Sequence, residues 1–355
     1  MKKRLKQYIV SGAVLAALAG VTLYYLLRGG GLAQLGQAMQ RANYWFLALG
    51  LAAMLGFVAC EAVNTRLVMR PLGGKLPFRH CMGYAFAGFY FSSITPSASG
   101  GQPVQVMLMT KNKVPVAHSA LCYLMLGAVY QTGMLLYAGA ALLLRWQLLG
   151  AAKGYVLLLF CLGGSFNLLL VTLIVVAVFW QPAAEKLVLG AIALLEKCRV
   201  VRHGDKLRDA ARRQLEGYRQ GAALLRRRPG LALAMLLITL LQLTCMYCVP
   251  AFVYAALGLP GAGALDLIAV QAVLAVAVSS LPLPGAAGAN ESVFLQLSTG
   301  IFTSAFAQTG VLLSRGISFY AMLLVSGVAT AVFSLRRRID KLPKVGYNRR
   351  EKNLI

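Results

Sequence analysis

Acidic residues are scarce in this chain: ten aspartates and glutamates stand against 35 lysines and arginines, for a formal net charge of +25. Charge of either sign is sparse, at 13% of 355 residues, where a soluble domain carries about 25%. The three histidines, His80, His118 and His203, are isolated from one another. The seven cysteines, Cys60, Cys81, Cys122, Cys161, Cys198, Cys245 and Cys248, are scattered, six of them in apolar stretches. That pattern excludes a secreted disulfide framework, and the Cys245-x-x-Cys248 spacing reads as packing within an apolar run. No metal-ligand cluster, phosphate loop, dinucleotide fingerprint or Gly-x-Ser-x-Gly elbow occurs, so neither metal nor cofactor is expected. What is abundant is apolar: 59% of residues, at a mean hydropathy of +0.70. A soluble globule would have to expose much of this, which excludes a soluble enzyme and a disordered chain. The expected class is all-α, a polytopic membrane helical bundle.

A crossing needs about 20 apolar residues in a helix. Runs at 8–27, 44–68, 119–144, 155–180, 231–257 and 306–333 meet that length and predict six crossings. The first follows Lys2, Lys3, Arg4 and Lys6 and reads as an uncleaved anchor. Two further apolar segments are interrupted. Residues 81–109 contain Thr95-Pro96-Ser97-Ala98-Ser99-Gly100-Gly101-Gln102-Pro103, and residues 265–300 contain Leu281-Pro282-Leu283-Pro284-Gly285-Ala286-Ala287-Gly288. Proline removes a backbone donor and glycine favours bends. The arms on either side are too short to span alone, and broken backbone at membrane depth survives only inside protein or beside water. Re-entrant hairpins are expected; two kinked crossings are the other reading.

Charge placement tests that topology. With a cytoplasmic N-terminus and both broken segments returning to their side of entry, thirty of the 35 lysines and arginines fall in cytoplasmic segments, as the positive-inside bias requires. They include twelve in the loop 181–229 and eight in the tail from Arg336. The two halves then have opposite orientation: span, hairpin, span at 44–144 and again at 231–333. Corresponding broken helices in inverted halves are the strongest sequence pointer to a transporter's binding site. Topology alone carries this repeat; no residue-level similarity between the halves is evident. The expected organisation is a membrane domain over 1–338, including the basic loop 181–229, and a basic cytoplasmic tail over 339–355. Within the loop, 187–195 is apolar enough to lie along the interface. Leu207, Ala211, Leu215, Tyr218, Ala222 and Leu225 mark an amphipathic helix opposite Arg208, Arg212, Arg213 and Arg219. Its expected partner is an anionic lipid surface, not nucleic acid.

Three acids, Glu61, Asp266 and Glu291, lie in the apolar zone, where a charge is costly and defaults to a functional or paired role, and all three are candidates for ion or proton coupling. Glu61 is five residues before Arg66, which suggests an interfacial ion pair. Asp266 opens the second broken segment, where a helix-capping role competes with ion or proton coupling. Glu291 follows the second break, and Arg315, the one cation inside an apolar run, invites a pair with it. That pair is read either as a salt bridge fixing the bundle or as part of a polar site for an anionic head group. At the first break, Ser97, Ser99, Gly100, Gly101, Gln102 and Gln105 surround a helix start with proline at a natural first-turn position, an arrangement suited to phosphate.

The stretches Ser93-Ile94-Thr95-Pro96-Ser97-Ala98-Ser99-Gly100-Gly101-Gln102-Pro103 and Leu283-Pro284-Gly285-Ala286-Ala287-Gly288-Ala289-Asn290-Glu291 resemble the two signatures of the lysylphosphatidylglycerol synthase transmembrane-region family. This is the flippase-like membrane domain of the multiple peptide resistance factor type. The resemblance runs from Lys2 to about Arg338 and carries over Glu61, Gly100, Gly101, Pro284, Gly285, Gly288, Glu291 and Arg315. It implies a bacterial cell-membrane protein that translocates an anionic or aminoacylated phospholipid, such as phosphatidylglycerol or its lysyl form, or a polyprenyl phosphate. About 20 residues follow the last span, so a member without the family's soluble synthase domain is expected. Two alternatives stay open: a phosphatidylglycerol lysyltransferase-type enzyme, and a membrane partner subunit of a separate synthase or glycosyltransferase. A homo-oligomer is compatible with all three.

Overall fold

The computed structural model describes residues 31–145, 154–180, 226–259, 263–286, 288–298 and 304–339, with a few isolated positions elsewhere. The expected first span at 8–27, the body of the basic loop and the tail lie outside the described residues.

Helix α1 (Gly31–Arg41) leads into α2 (Tyr44–Met69), which starts where the Asn43 side chain accepts from the Trp45 N–H at 3.0 Å. A turn through Gly73 and Gly74 leads to α3 (Phe78–Ile94), a short 3-10 turn (Pro96–Ala98) and α4 (Gly101–Lys111). The long α5 (Val116–Leu144) and α6 (Gly154–Phe179) complete the first half. The second half repeats the plan. Helices α7 (Pro229–Tyr247) and α8 (Val249–Ala256) form one bent crossing, followed by α9 (Ala264–Val278), a 3-10 turn (Pro284–Ala286) and α10 (Ala289–Leu297). The last crossing is α11 (Ser304–Arg315), a π-helical turn (Gly316–Ala321) and α12 (Met322–Ile339). Among the described residues, five helices are long and apolar enough to cross a membrane: Tyr44–Met69, Val116–Leu144, Gly154–Val176, Pro229–Ala256 and Gln308–Leu335. They coincide with five of the six expected runs. Helix α1 was not anticipated, although the apolar spacing of Leu32, Leu35 and Met39 is visible in the sequence.

The first interrupted segment folds back on itself. A Cβ on Gly88 of α3 would run into the Gln105 side chain of α4, and one on Gly101 into the Ser92 hydroxyl and the Gly88 carbonyl. Further along, Asn112 donates to the Tyr84 hydroxyl. The residue pairs 84/112, 88/105 and 92/101 descend α3 as they climb α4, which is the register of an antiparallel hairpin and not of a kinked crossing. Small residues permit this approach, since in lipid the association of helices rests on van der Waals packing. In the second segment α10 likewise packs back on α9.

Neighbour relations obey the inverted plan. The central pair is α2 with α7, joined by Asn64 Nδ2 donating to the Thr239 hydroxyl at 2.9 Å. Helix α3 packs between α2 and α12, as α9 packs against α7 and α5; α4 leans on α5 as α10 leans on α11. Two cores form, one around Met54, Tyr84, Met109 and Leu121, the other around Tyr247, Val270, Val273 and Leu274. Each draws residues from both halves, Met235 and Met322 in the first, Met134 and Val156 in the second. The two 3-10 turns touch each other, so the inversion brings both breaks to one place.

Candidate functional site

Superposing the two breaks by conformation exposes a similarity that topology alone did not. Pro96-Ser97-Ala98-Ser99-Gly100 and Pro284-Gly285-Ala286-Ala287-Gly288 share the pattern Pro-x-Ala-x-Gly. In both, the two residues after proline have positive φ: Ser97 50° and Ala98 53°, Gly285 57° and Ala286 49°. In both, the last glycine is the cap of the returning helix, α4 or α10. The expectation of no residue-level repeat is corrected here: the repeat is five residues long and too short to stand out without the turn conformation.

The second break is closed by its own charges. Glu291 occupies the third position of α10, where its Oε2 accepts from the Gly288 N–H at 2.6 Å. Its Oε1 accepts from Arg315 Nε at 2.9 Å, with only 5% of the Glu291 side chain and 12% of the Arg315 side chain exposed. Arg315 Nη2 donates to the Gly285 carbonyl at 2.9 Å, and its guanidinium lies 4.5 Å from the Phe319 ring centroid. Phe319 also covers Gly285, where a Cβ would collide with its ring. Arg315 sits at the junction between α11 and the π-helical turn, a feature frequent at functional sites. Thus Pro284, Gly285, Gly288, Glu291 and Arg315 converge in one cluster, in which the anticipated pair is a buried salt bridge. Phe319 belongs to it and was missed, because a phenylalanine in an apolar span carries no sequence signal.

The first break carries no charge. Thr95 Oγ1 accepts from the Gly100 N–H at 2.8 Å, Ser99 Oγ donates to the Pro96 carbonyl at 2.9 Å, and Ser92 Oγ donates to the Ala98 carbonyl at 3.3 Å. Residues 96–99 are exposed. No side chain caps α4, and its first-turn N–H groups at Gly101 and Gln102 have no intrahelical acceptor. Gln102 is exposed and reaches across to Gly127 of α5. Gln105 does not join it. Its Nε2 donates to Glu61 Oε1 and to the Tyr84 carbonyl at 3.2 Å, deep between α2, α3 and α4. The grouping of Gln105 with the exposed break donors is therefore corrected: one turn into α4 its side chain is buried against α2 and α3. The expected Glu61–Arg66 ion pair does not form; five residues apart on a helix, the two side chains point about 140° apart.

Asp266 lies elsewhere, at the start of α9. Its Oδ2 accepts from the Gly263 N–H at 3.2 Å, and Oδ1 is ion-paired with Arg145 Nε. This is the Glu291 device repeated at the rim: a glycine cap, an acid three residues later, and an arginine on the second oxygen. The rim version is open to solvent, with 46% of Arg145 and 30% of Asp266 exposed.

An inverted pair of re-entrant hairpins within a bundle of apolar crossings defines a polytopic helical membrane protein whose two broken helices meet. Residues 9–326 match the lysylphosphatidylglycerol synthase TM region, and the chain belongs to that family. A UPF0104 membrane protein of Archaeoglobus fulgidus is 31% identical over 86 residues, 24% of this chain and 26% of that protein. The aligned stretch thus spans about a quarter of that relative's length.

Proposed function

We propose that the chain translocates a phosphate-bearing lipid between leaflets, its head group passing the paired breaks while the acyl chains stay in the bilayer. The observation that carries this reading is the contact between the two breaks, one of which offers an uncapped helix start. A phosphate oxygen is the natural acceptor for first-turn N–H groups at the positive end of a helix. Ser97 and Gln102, both exposed, add neutral donors. The buried Glu291–Arg315 pair supplies a rigid wall of zero net charge, so the transiting anion meets dipoles and not a fixed cation that would trap it. Membership in a family named for lysylphosphatidylglycerol synthase supports phosphatidylglycerol or its lysyl form as the first lipids to test.

Arg66, Arg70, Lys75, Arg79, Lys111 and Lys113 flank one end of the first hairpin, and Arg226, Arg227 and Arg228 precede α7. We read this basic end as cytoplasmic, by the positive-inside bias. It also favours a second reading, a membrane subunit that docks a separate synthase or glycosyltransferase; stable co-purification through the loop 181–229 would mark it. Aminoacyl transfer by this chain itself is tested by incubation with lysyl-tRNA and phosphatidylglycerol.

The deciding experiment reconstitutes the full chain in liposomes. Transbilayer flux is followed for head-group-labelled phosphatidylglycerol, its lysyl derivative and a short polyprenyl phosphate. Flux of one lipid above protein-free liposomes is expected; none for any of the three overturns the reading.

A further inference from the structure

The three acids of the apolar zone are not equivalent. Asp266 and Glu291 each have one oxygen on a glycine N–H and the other on an arginine, so both are charge-balanced and held in place. Glu61 is held otherwise. It lies about two turns before the C-terminal end of α2, half-buried, and its hydrogen-bond partner is the neutral amide of Gln105. Among the described residues, no ion pair joins it to a cation.

The groups around it are also neutral. Cys122, Tyr123 and Tyr130 of α5 lie within electrostatic reach of it. On α3, Cys81 lies beside Cys122, and Tyr84 shares the Gln105 amide through its backbone carbonyl. Helix α4 presents Gln105. Helix α7 meets α2 on another side, through Asn64 with Thr239 and through Cys245 against Gly56. Arg66, on α2 itself, lies within electrostatic reach of Cys81 but forms no ion pair with Glu61. A carboxylate at membrane depth without a cation is expensive, and the cheapest relief is a proton. Partial exposure gives water a path to it. Gln105, moreover, is one turn from the helix start at the first break, so whatever alters the Glu61–Gln105 bond acts on α4 where it meets the ligand.

We infer that Glu61 is the proton-exchange site of this protein, coupling the first hairpin to a transmembrane proton gradient through Gln105. The carboxylate takes a proton from water on one side of the membrane and returns it to water on the other. When it is charged it grips the Gln105 amide and holds α4 against α2; when it is neutral the grip weakens and α4 is freer at the break. The earlier expectation spread coupling over Glu61, Asp266 and Glu291. The partners observed here leave it to Glu61.

The inference rests on the translocase reading for its coupling to transport, and the experiment has an arm that does not. Infrared difference spectra are recorded on the purified full chain as pH is stepped across its folded range. A carboxylic-acid carbonyl band is expected to appear on acidification, to vanish in Glu61→Gln, and to persist in Glu291→Gln and Asp266→Asn. Absence of the band in the wild type, or its survival in Glu61→Gln, overturns the proposal. If Glu61→Gln does not fold, Gln105→Leu serves: losing the donor to the acid carbonyl moves the band to higher frequency, and an unmoved band overturns the assignment. In liposomes, the ratio of lipid flux with and without an imposed proton gradient is expected to exceed one for wild type and to fall to one in Glu61→Gln. A gradient response kept by the variant overturns the coupling. Should no probe lipid move, the translocase reading fails, while the infrared arm still decides whether Glu61 exchanges a proton.

Discussion

The two breaks share a backbone and differ in what fills them. Both run Pro-x-Ala-x-Gly through two positive-φ residues into a short returning helix. At the second, the helix start is occupied by Glu291, which Arg315 balances in a buried pair. At the first, the position equivalent to Glu291 is Pro103, which has neither charge nor N–H; Thr95 takes only the Gly100 N–H, and no side chain caps the helix. One inverted motif thus supplies a buried, charge-balanced end and an exposed, uncharged one. The lesson is that structural pseudo-symmetry here places two similar turns together so that chemistry can differ between them.

Breaking the sealed side should have the largest effect. Arg315→Ala leaves Glu291 buried without its cation, a loss of about 3–5 kcal/mol that a thermal melt in detergent would register as a large drop in Tm. The solvent-open copy of the same device is the control: Arg145→Ala should cost no more than about 1 kcal/mol. Equal losses at the two sites would show that burial does not distinguish them.

Next in size is Gly285→Ala. It adds the left-handed backbone penalty of about 1–2 kcal/mol to a collision with Phe319, and the melt should fall accordingly. Pro103→Glu sharpens the comparison from the other side, by giving α4 the acid that α10 owns. A carboxylate in the first turn stabilises a helix by roughly 0.3–1 kcal/mol and would occupy the N–H groups offered to lipid phosphate. The expected outcome is unchanged or raised Tm with at least about tenfold less lipid flux, equivalent to roughly 1.4 kcal/mol; undiminished flux would remove α4 from the site. The smallest effect is Ser97→Gly, which makes the first turn resemble the second. Relief at φ 50°, offset by the greater freedom of glycine when unfolded, leaves a gain of at most about 1 kcal/mol.

Much of this was readable before folding. The crossings at 44–68, 119–144, 155–180, 231–257 and 306–333 recur within a few residues because a 20-residue apolar helix is a local property of composition and length. The breaks were legible for the same reason, as proline and glycine act on their own backbone. The Glu291–Arg315 pair was legible too, since two opposite charges in apolar runs have few other ways to be satisfied. Gln105 was misassigned and Phe319 missed because both depend on which way a helix faces once its neighbours are in place.

Hydropathy and the placement of Lys and Arg, both read from residue order, determined that this chain is an all-helical membrane protein of opposed halves with two interrupted helices. Only the tertiary structure decided that the interruptions touch, that one is neutralised from within while the other is not, and that Glu61 faces an amide and not an arginine. Each of these depends on contacts between residues 24 to 190 positions apart, and the energy of a charge in an apolar medium is set by the few atoms nearest to it, whatever their distance along the chain.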